Sequence, residues 1–96
     1  MQFVIVAKDG TDNEALERRM KAREAHIDIF KQGLSKRKNI LGGAILNDNG
    51  DMCGSVMVVE FDTREELDEW LNNDPYVTGD VWRDIEVLPF KLAGKS

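Results

Sequence analysis

The sequence predicts an α+β fold whose elements follow the order strand, helix, strand, strand, helix, strand. Three observations lead to this prediction: two segments with helical spacing, an Asn-Gly turn between two apolar runs, and two strand segments that are apolar on both faces. A chain of 96 residues has the ordinary size of one domain with one modest core. A single domain over residues 1–96 is therefore expected.

The first two elements are a strand and a long helix. The strand is predicted over residues 3–7, which are apolar on both alternating faces, as in a central strand. The helix runs from residue 13 to about residue 33, because six side chains recur at intervals of three or four and share one face. These side chains are Leu16, Met20, Arg23, Ile27, Phe30 and Leu34. Gly33 is expected to form the C-cap.

A β-hairpin is predicted next, with strands over residues 40–46 and 52–61. The polar turn of residues 47–51 joins them and carries Asn49-Gly50 at its tip, a pair typical of tight hairpin turns. The second strand of the hairpin is apolar on both faces between residues 55 and 61, which again indicates a central strand.

The second helix begins at a capping box. Thr63 is the expected N-cap and Glu66 follows three residues later, ahead of a helix with Leu67, Trp70 and Leu71. Residues 72–75 end this helix, and a last strand is predicted over residues 84–91.

This order of elements suits the ferredoxin-like βαββαβ arrangement, in which the first and third strands form the centre of an antiparallel sheet. The two predicted central strands are the ones that are apolar on both faces. Two helices can cover one face of the sheet, so the other face needs a cover that this chain does not supply. A homodimer through that face is therefore predicted.

The charge of the chain disfavours nucleic acid as a partner. Lys and Arg number 13 against 18 Asp and Glu, which gives a net charge of −5. The one basic run, Lys36-Arg37-Lys38, follows the predicted end of the first helix, where cations complement the helix dipole.

A cytoplasmic location is expected, with no membrane partner. No apolar stretch approaches the roughly 18 residues needed to span a bilayer, and residues 1–10 lack the features of a signal peptide. Cys53 is the single cysteine, which fits a reducing compartment.

A candidate site lies on the first helix. Arg23 interrupts the predicted apolar face, and His26 borders it at i, i+3 spacing. A cation on that face requires an anion, and Asp74 is the favoured candidate because a loop before the last strand can fold over the helix. The alternative is that Asp74 caps a turn or helix that starts at Pro75; the two interpretations are compatible.

If His26 and Asp74 meet, the carboxylate would fix the imidazole tautomer and leave the other ring nitrogen for proton transfer. Ser55 could face the same cleft as a hydrogen-bond donor, or serve as a turn residue after Gly54. Tyr76, Trp70 and Trp82 are expected to lie in the core or in the wall of a pocket. One histidine and one cysteine predict no metal site.

Short pieces distributed over nearly the whole chain resemble the YCII (YciI-like) family. They are residues 3–9, Arg23-Glu24-Ala25-His26, Gly43, Gly54-Ser55, Asp74-Pro75-Tyr76 and residues 87–91. The resemblance implies a ferredoxin-like fold assembled as a dimeric α/β barrel, with His26 and Asp74 as catalytic residues. Arg23, Ser55 and Tyr76 would be lesser, substrate-binding candidates. Some relatives act on small aromatic compounds, including elimination of chloride from chlorinated hydroquinone-type substrates.

Two functions remain open at this point. The first is an enzyme without a cofactor, lyase-like or isomerase-like, in which His26 moves a proton, Asp74 orients it, and Arg23 anchors a substrate anion or Asp74 itself. The second is a non-catalytic ligand-binding or accessory module, in which the same cluster holds the loop to the helix. A haem-binding barrel is less favoured, because His26 is the only imidazole.

Overall fold

A computed structural model describes residues 1–35 and 39–93 of the chain. All six predicted elements are present, and a short helix is added before the last strand. The elements are β1 (Gln2–Asp9), α1 (Ala15–Ser35), β2 (Asn39–Leu46), β3 (Met52–Glu60), α2 (Arg64–Asn72), α3 (Pro75–Thr78) and β4 (Trp82–Phe90).

The four strands form one antiparallel sheet in the order β2-β3-β1-β4. The predicted central pair, β1 and β3, is confirmed, and the fold is ferredoxin-like. In the register of the sheet Ile5 lies between Met57 of β3 and Val87 of β4. A strand with neighbours on both sides and side chains on two faces is apolar throughout, which explains why β1 and β3 could be recognised.

The predicted hairpin turn is also confirmed. Gly50 has a φ of +84°, a backbone conformation that favours glycine. The side-chain oxygen of Asn47 accepts hydrogen bonds from the backbone N–H groups of Asn49 and Asp51, at 2.9 and 3.0 Å. The turn residues thus satisfy the polar backbone where the strands separate.

The buried face of α1 differs from the predicted one. Leu16 and Met20 are 38% and 51% exposed. Arg23 is exposed as well, so it is not a cation within the core. Ile27 and Phe30 are half-buried, and the predicted stripe is thus correct only in the C-terminal part of the helix.

The face that α1 buries instead contains Ala15, Arg19, Ala22 and His26, spaced by four, three and four residues. Arg19 can lie there because the buried carboxylate of Asp9 neutralises its charge. The predicted stripe placed Leu16, Met20 and Arg23 on the core side, so the predicted face was rotated away from the true one.

The helix also ends later than predicted. It continues through Gly33 to Ser35, so the predicted C-cap at Gly33 is wrong. A glycine inside a helix costs only about 1 kcal/mol relative to alanine, and it does not by itself end the helix. The side chain of Leu34 and the basic run Lys36-Arg37-Lys38 lie outside the described residues.

The second helix begins as predicted. Thr63 is the N-cap of α2, and its hydroxyl accepts a hydrogen bond from the backbone N–H of Glu66 at 3.1 Å. Leu67 and Leu71 are buried against the sheet side of the core. The segment after Asn73, expected to be irregular, forms the single-turn helix α3.

The helices cover one face of the sheet, and the core lies between them. Its members include Phe3, Ile5, Met57, Val59, Phe61, Leu67, Leu71, Tyr76, Val81 and Trp82. None of the helices in residues 1–35 and 39–93 is long and apolar enough to cross a membrane.

Candidate active site

His26 and Asp74 meet inside the protein, as the sequence predicted. The Nδ1 atom of His26 lies 2.8 Å from Oδ1 and 3.0 Å from Oδ2 of Asp74. A carboxylate only accepts hydrogen bonds, so Nδ1 carries the hydrogen and donates it to Asp74. In the neutral imidazole the other ring nitrogen, Nε2, keeps its lone pair, and among the described residues it has no hydrogen-bond partner.

Asp74 has a second role, which the sequence also indicated. It is the N-cap of α3, with Pro75 in the first turn, and its Oδ1 accepts the backbone N–H of Tyr76 at 2.8 Å. The two interpretations weighed from the sequence therefore hold together. Because Asp74 is only 1% exposed and bound from two sides, its carboxylate has little freedom to move away from His26.

Aromatic rings fix the plane of the imidazole. Tyr76 stacks on His26 with 4.0 Å between the ring centroids and 15° between the planes. The ring of Trp82 lies nearly perpendicular to the same imidazole, with 5.6 Å between the ring centroids and 80° between the planes. Burial raises the pKa of the Tyr76 hydroxyl above its ordinary value, so the phenol stays neutral at physiological pH.

A buried ion pair lies beside the His26–Asp74 pair. Nη1 of Arg19 donates to both carboxylate oxygens of Asp9, at 2.9 and 3.1 Å. The guanidinium also stands 4.7 Å from the centroid of the Tyr76 ring. Burial raises the pKa of the Asp9 carboxyl above its ordinary value, while the positive charge of Arg19 opposes that shift.

Ser55 links this ion pair to the sheet. Its hydroxyl oxygen accepts hydrogen bonds from Nη2 of Arg19 at 2.8 Å and from the indole N–H of Trp82 at 3.2 Å. Ser55 pairs with Ala7 of β1 and Ala44 of β2, inside the strand and not in a turn. The turn-residue alternative for Ser55 is therefore wrong, because β3 begins three residues earlier at Met52.

These side chains surround a cavity of about 210 Å³ between α1 and the sheet. It is lined by Arg19, Arg23, His26, Ile27, Phe30, Gly42, Gly43, Ala44, Met52, Ser55, Met57 and Tyr76. Of the five residues predicted for the site, four contribute to this lining, and Asp74 stands behind His26. Among the described residues no ion pair joins Arg23 to Asp74.

Sequence reasoning missed Arg19 and Asp9, and it predicted Trp82 only as a residue of the core or the pocket wall. Two signals were available: Arg19 precedes His26 by seven residues, which is two helical turns, and Asp9 continues the alternation of Phe3, Ile5 and Ala7. Either spacing places a charge on the core side of its element.

The cavity can support transfer of a proton. With Nδ1–H held by Asp74, Nε2 of His26 can accept a proton, and the carboxylate stabilises the imidazolium that forms. Arg23 adds a positive charge at the cavity without an ion-pair partner among the described residues. Flat and apolar side chains make up most of the remaining wall.

Comparisons with known proteins give the same picture of the fold. Residues 1–91 match the family model of the YCII-related domain. The protein YciI of Escherichia coli is 32% identical over 97 residues, which cover 95% of this chain and 97% of that relative.

Two solved structures extend the comparison. The 5-chloro-2-hydroxyhydroquinone dehydrochlorinase from Burkholderia phenoliruptrix, in complex with 2,5-dihydroxybenzoquinone, is similar with a TM-score of 0.82 and 26% identity. The alignment covers 95% of this chain and 94% of that one. Rv0793 from Mycobacterium tuberculosis has a TM-score of 0.59 at 14% identity, over 98% of this chain and all of the other, and shows a likeness of fold alone.

Proposed function

The chain belongs to the YCII family, and we propose that it is a cofactor-independent enzyme that acts on a small aromatic compound. The reaction is lyase-like or isomerase-like, with His26 as the group that moves the proton and Asp74 as the residue that orients it. The observation that carries the proposal is the 2.8 Å contact of Nδ1 with the buried carboxylate, which directs the basic nitrogen away from Asp74.

The size and walls of the cavity support a single-ring substrate. Its volume of about 210 Å³ exceeds the about 150 Å³ of an engineered cavity that binds benzene. Phe30 and Tyr76 offer flat surfaces, and Gly42 leaves room because it has no side chain. The guanidinium of Arg23 suits an anionic oxygen on the ring.

Elimination from a hydroxylated ring needs no cofactor. Loss of HCl from 5-chloro-2-hydroxyhydroquinone, the compound named for the similar dehydrochlorinase, leaves a hydroxyquinone. Two hydroxyl protons leave the compound, one proton adds to the ring carbon that carries chlorine, and chloride departs from that carbon with the electrons of its bond. The net change is loss of HCl, so no external oxidant takes part. A single acid/base residue such as His26 can move the protons of this reaction.

The first experiment measures chloride release from 5-chloro-2-hydroxyhydroquinone and deuterium exchange from solvent into the ring of hydroxyhydroquinone. Exchange reports proton transfer even when chloride is not the leaving group. His26→Gln and Asp74→Ser should lower both rates by about 100-fold or more. Asp28→Ser, on the exposed side of α1, is the matched control. Rates in His26→Gln equal to those of the unchanged protein contradict the proposal.

The alternative is a non-catalytic binding module, and one observation favours it. Asp74 is already used as the N-cap of α3, so its contact with His26 could serve only to hold that segment on α1. In that case His26→Ala should lower the free energy of unfolding by about 1–3 kcal/mol and leave ligand binding unchanged. Urea unfolding together with ligand titration separates the two functions.

The proposal includes a homodimer through the sheet face opposite the helices. Leu41, Val58, Val4 and Leu88 form an apolar row across all four strands on that face. Leu41 and Leu88 are 46% and 44% exposed. Equilibrium sedimentation should show a dimer that Leu88→Lys dissociates, and a monomer at micromolar concentration would rule this part out.

A further inference from the structure

The hydroxyl oxygen of Ser55 has both of its acceptor positions occupied. Arg19 and the indole of Trp82 carry only donor groups at the atoms that reach it, at 2.8 and 3.2 Å. A hydroxyl oxygen has two lone pairs, so these two hydrogen bonds use them both. The hydrogen of Ser55 is left over, and among the described residues it has no acceptor.

The topology of the sheet indicates where that hydrogen points. Trp82 belongs to β4, which lies beyond β1, so its N–H reaches Ser55 from the β1 side of β3. The cavity lies on the other side, because Gly42, Gly43 and Ala44 of β2 line it together with Ser55. With Trp82 on the β1 side and Arg19 of α1 above the sheet, the direction that remains for the O–H is toward β2 and the part of the cavity that β2 lines.

The cluster of Arg19, Asp9, Ser55 and Trp82 carries more hydrogen-bond donors than acceptors. Nε of Arg19 is buried and has no hydrogen-bond partner among the described residues. The acceptors within the cluster, the carboxylate of Asp9 and the oxygen of Ser55, are already bound to Arg19 and Trp82. A buried donor without a partner is costly, so a ligand that supplies an acceptor is favoured over one that supplies another donor.

We infer that Trp82 and Arg19 are positioning residues: they occupy both acceptor positions of the Ser55 hydroxyl, so that Ser55 can only donate a hydrogen bond to a ligand. The ligand then presents an acceptor oxygen to Ser55. This inference rests on the proposed function, because it concerns the same cavity. The ligand class is a planar compound with a carbonyl or a ring oxyanion. The guanidinium on the serine oxygen draws electron density from the O–H bond and strengthens its donation.

The test compares two neutral probes of similar shape, acetophenone, whose carbonyl accepts, and aniline, whose N–H groups donate. 2,5-Dihydroxybenzoquinone, the ligand of the similar dehydrochlorinase, is a third probe with several acceptor oxygens. The NMR signals of His26, the single histidine of the sequence, follow each titration. They report whether the probe enters this cavity, independently of Ser55.

Ser55→Ala should weaken the binding of acetophenone by about threefold to tenfold and change that of aniline by less than about twofold. Cys53→Ala is the matched control, two residues earlier on β3 and outside the lining of the cavity. Trp82→Phe keeps a ring but removes the N–H, so the serine oxygen can again accept. Aniline should then gain affinity relative to acetophenone, whereas Trp70→Phe, whose ring packs on Phe61, should leave the ratio unchanged.

The outcomes separate the inference from the proposed function. If probes shift the His26 signals but neither Ser55→Ala nor Trp82→Phe changes the ratio of the two affinities, the inference is wrong and the catalytic proposal stands. If the ratio changes as expected while His26→Gln retains turnover, the inference stands without the catalytic proposal. If no acceptor probe shifts His26 in the unchanged protein, the ligand class assigned to this cavity is wrong.

Discussion

Asp9→Ala should lower the free energy of unfolding by about 3–5 kcal/mol, because it leaves the guanidinium of Arg19 inside the protein without its anion. The two side chains are 2% and 3% exposed, and two hydrogen bonds of 2.9 and 3.1 Å join them. The loss is a large part of the roughly 5–14 kcal/mol expected for a domain of 96 residues.

The double variant Asp9→Ala with Arg19→Met isolates the pair. Removing both charges leaves no unpaired ion, so the double variant should be more stable than Asp9→Ala alone. Urea unfolding followed by tryptophan fluorescence gives the free energies, and the shift in melting temperature serves where a variant is too unstable for extrapolation.

An exposed ion pair provides the control. Arg64 and Asp68 lie one turn apart on α2, 2.8 Å from each other, with side chains 49% and 48% exposed. Asp68→Ala should cost less than about 1 kcal/mol, because solvent screens both charges. If Asp9→Ala costs no more than Asp68→Ala, burial does not make the Arg19–Asp9 pair important, and the explanation given for the orientation of α1 fails with it.

Three further predictions test the site and its surroundings. Asp74→Ser keeps an N-cap residue for α3, but the serine side chain is too short to reach His26. The ¹⁵N shifts of the imidazole should therefore show loss of the Nδ1–H tautomer. Persistence of that tautomer would contradict the role given to the Asp74 carboxylate. Gly42→Ala places a Cβ 2.7 Å from the ring of Phe30, which lines the cavity, so ligand titration should show weaker binding. Gly43→Ala is the control, because its Cβ would meet nothing within 4 Å. The guanidinium of Arg18 holds the pKa of Asp12 below its ordinary value of 3.8. The difference in free energy of unfolding between the protein and Asp12→Asn should therefore be present above that pH and shrink as the pH falls below it. A difference in urea unfolding that does not change with pH would refute the coupling.

The strands could be predicted from the sequence because their burial follows from composition alone. β1 and β3 are apolar on both faces, and a tight turn with Asn49-Gly50 fixes the hairpin between β2 and β3. The face of α1 could not be predicted in the same way. Its orientation depends on the ion pair of Arg19 with Asp9, which are ten residues apart. The spacings of the two residues place each charge on the core side of its own element, but neither spacing shows that the two side chains pair.

The candidate site, like the fold, has one part that could be predicted from the sequence and one part that could not. His26 and Asp74 were named as a candidate pair because Arg23, beside His26, was expected to need an anion and because the chain resembles a family with that pair; the structure shows the contact of Asp74 with His26. Ser55 was only one of several candidates, because its orientation is set by Trp82 and Arg19 on two other elements. A single sequence gives the residue types that chemistry requires, but the partners that orient them come from tertiary packing.

The two polar groups that face the cavity, Nε2 of His26 and the hydroxyl of Ser55, have opposite hydrogen-bonding roles. This difference bears on the choice between a structural cluster and a site for a ligand. In the Nδ1–H tautomer His26 offers an acceptor at Nε2, whereas Ser55 offers a donor, and among the described residues neither has a partner for that group. A cluster that only holds the loop to α1 has no use for the donor of Ser55, which is buried and without an acceptor among the described residues. A hydroxyquinone satisfies both, since its hydroxyl donates to Nε2 and its carbonyl accepts from Ser55. Under the proposed function, this orientation would place the acidic hydroxyl hydrogen of such a ligand next to Nε2 of His26, the nitrogen that accepts the proton.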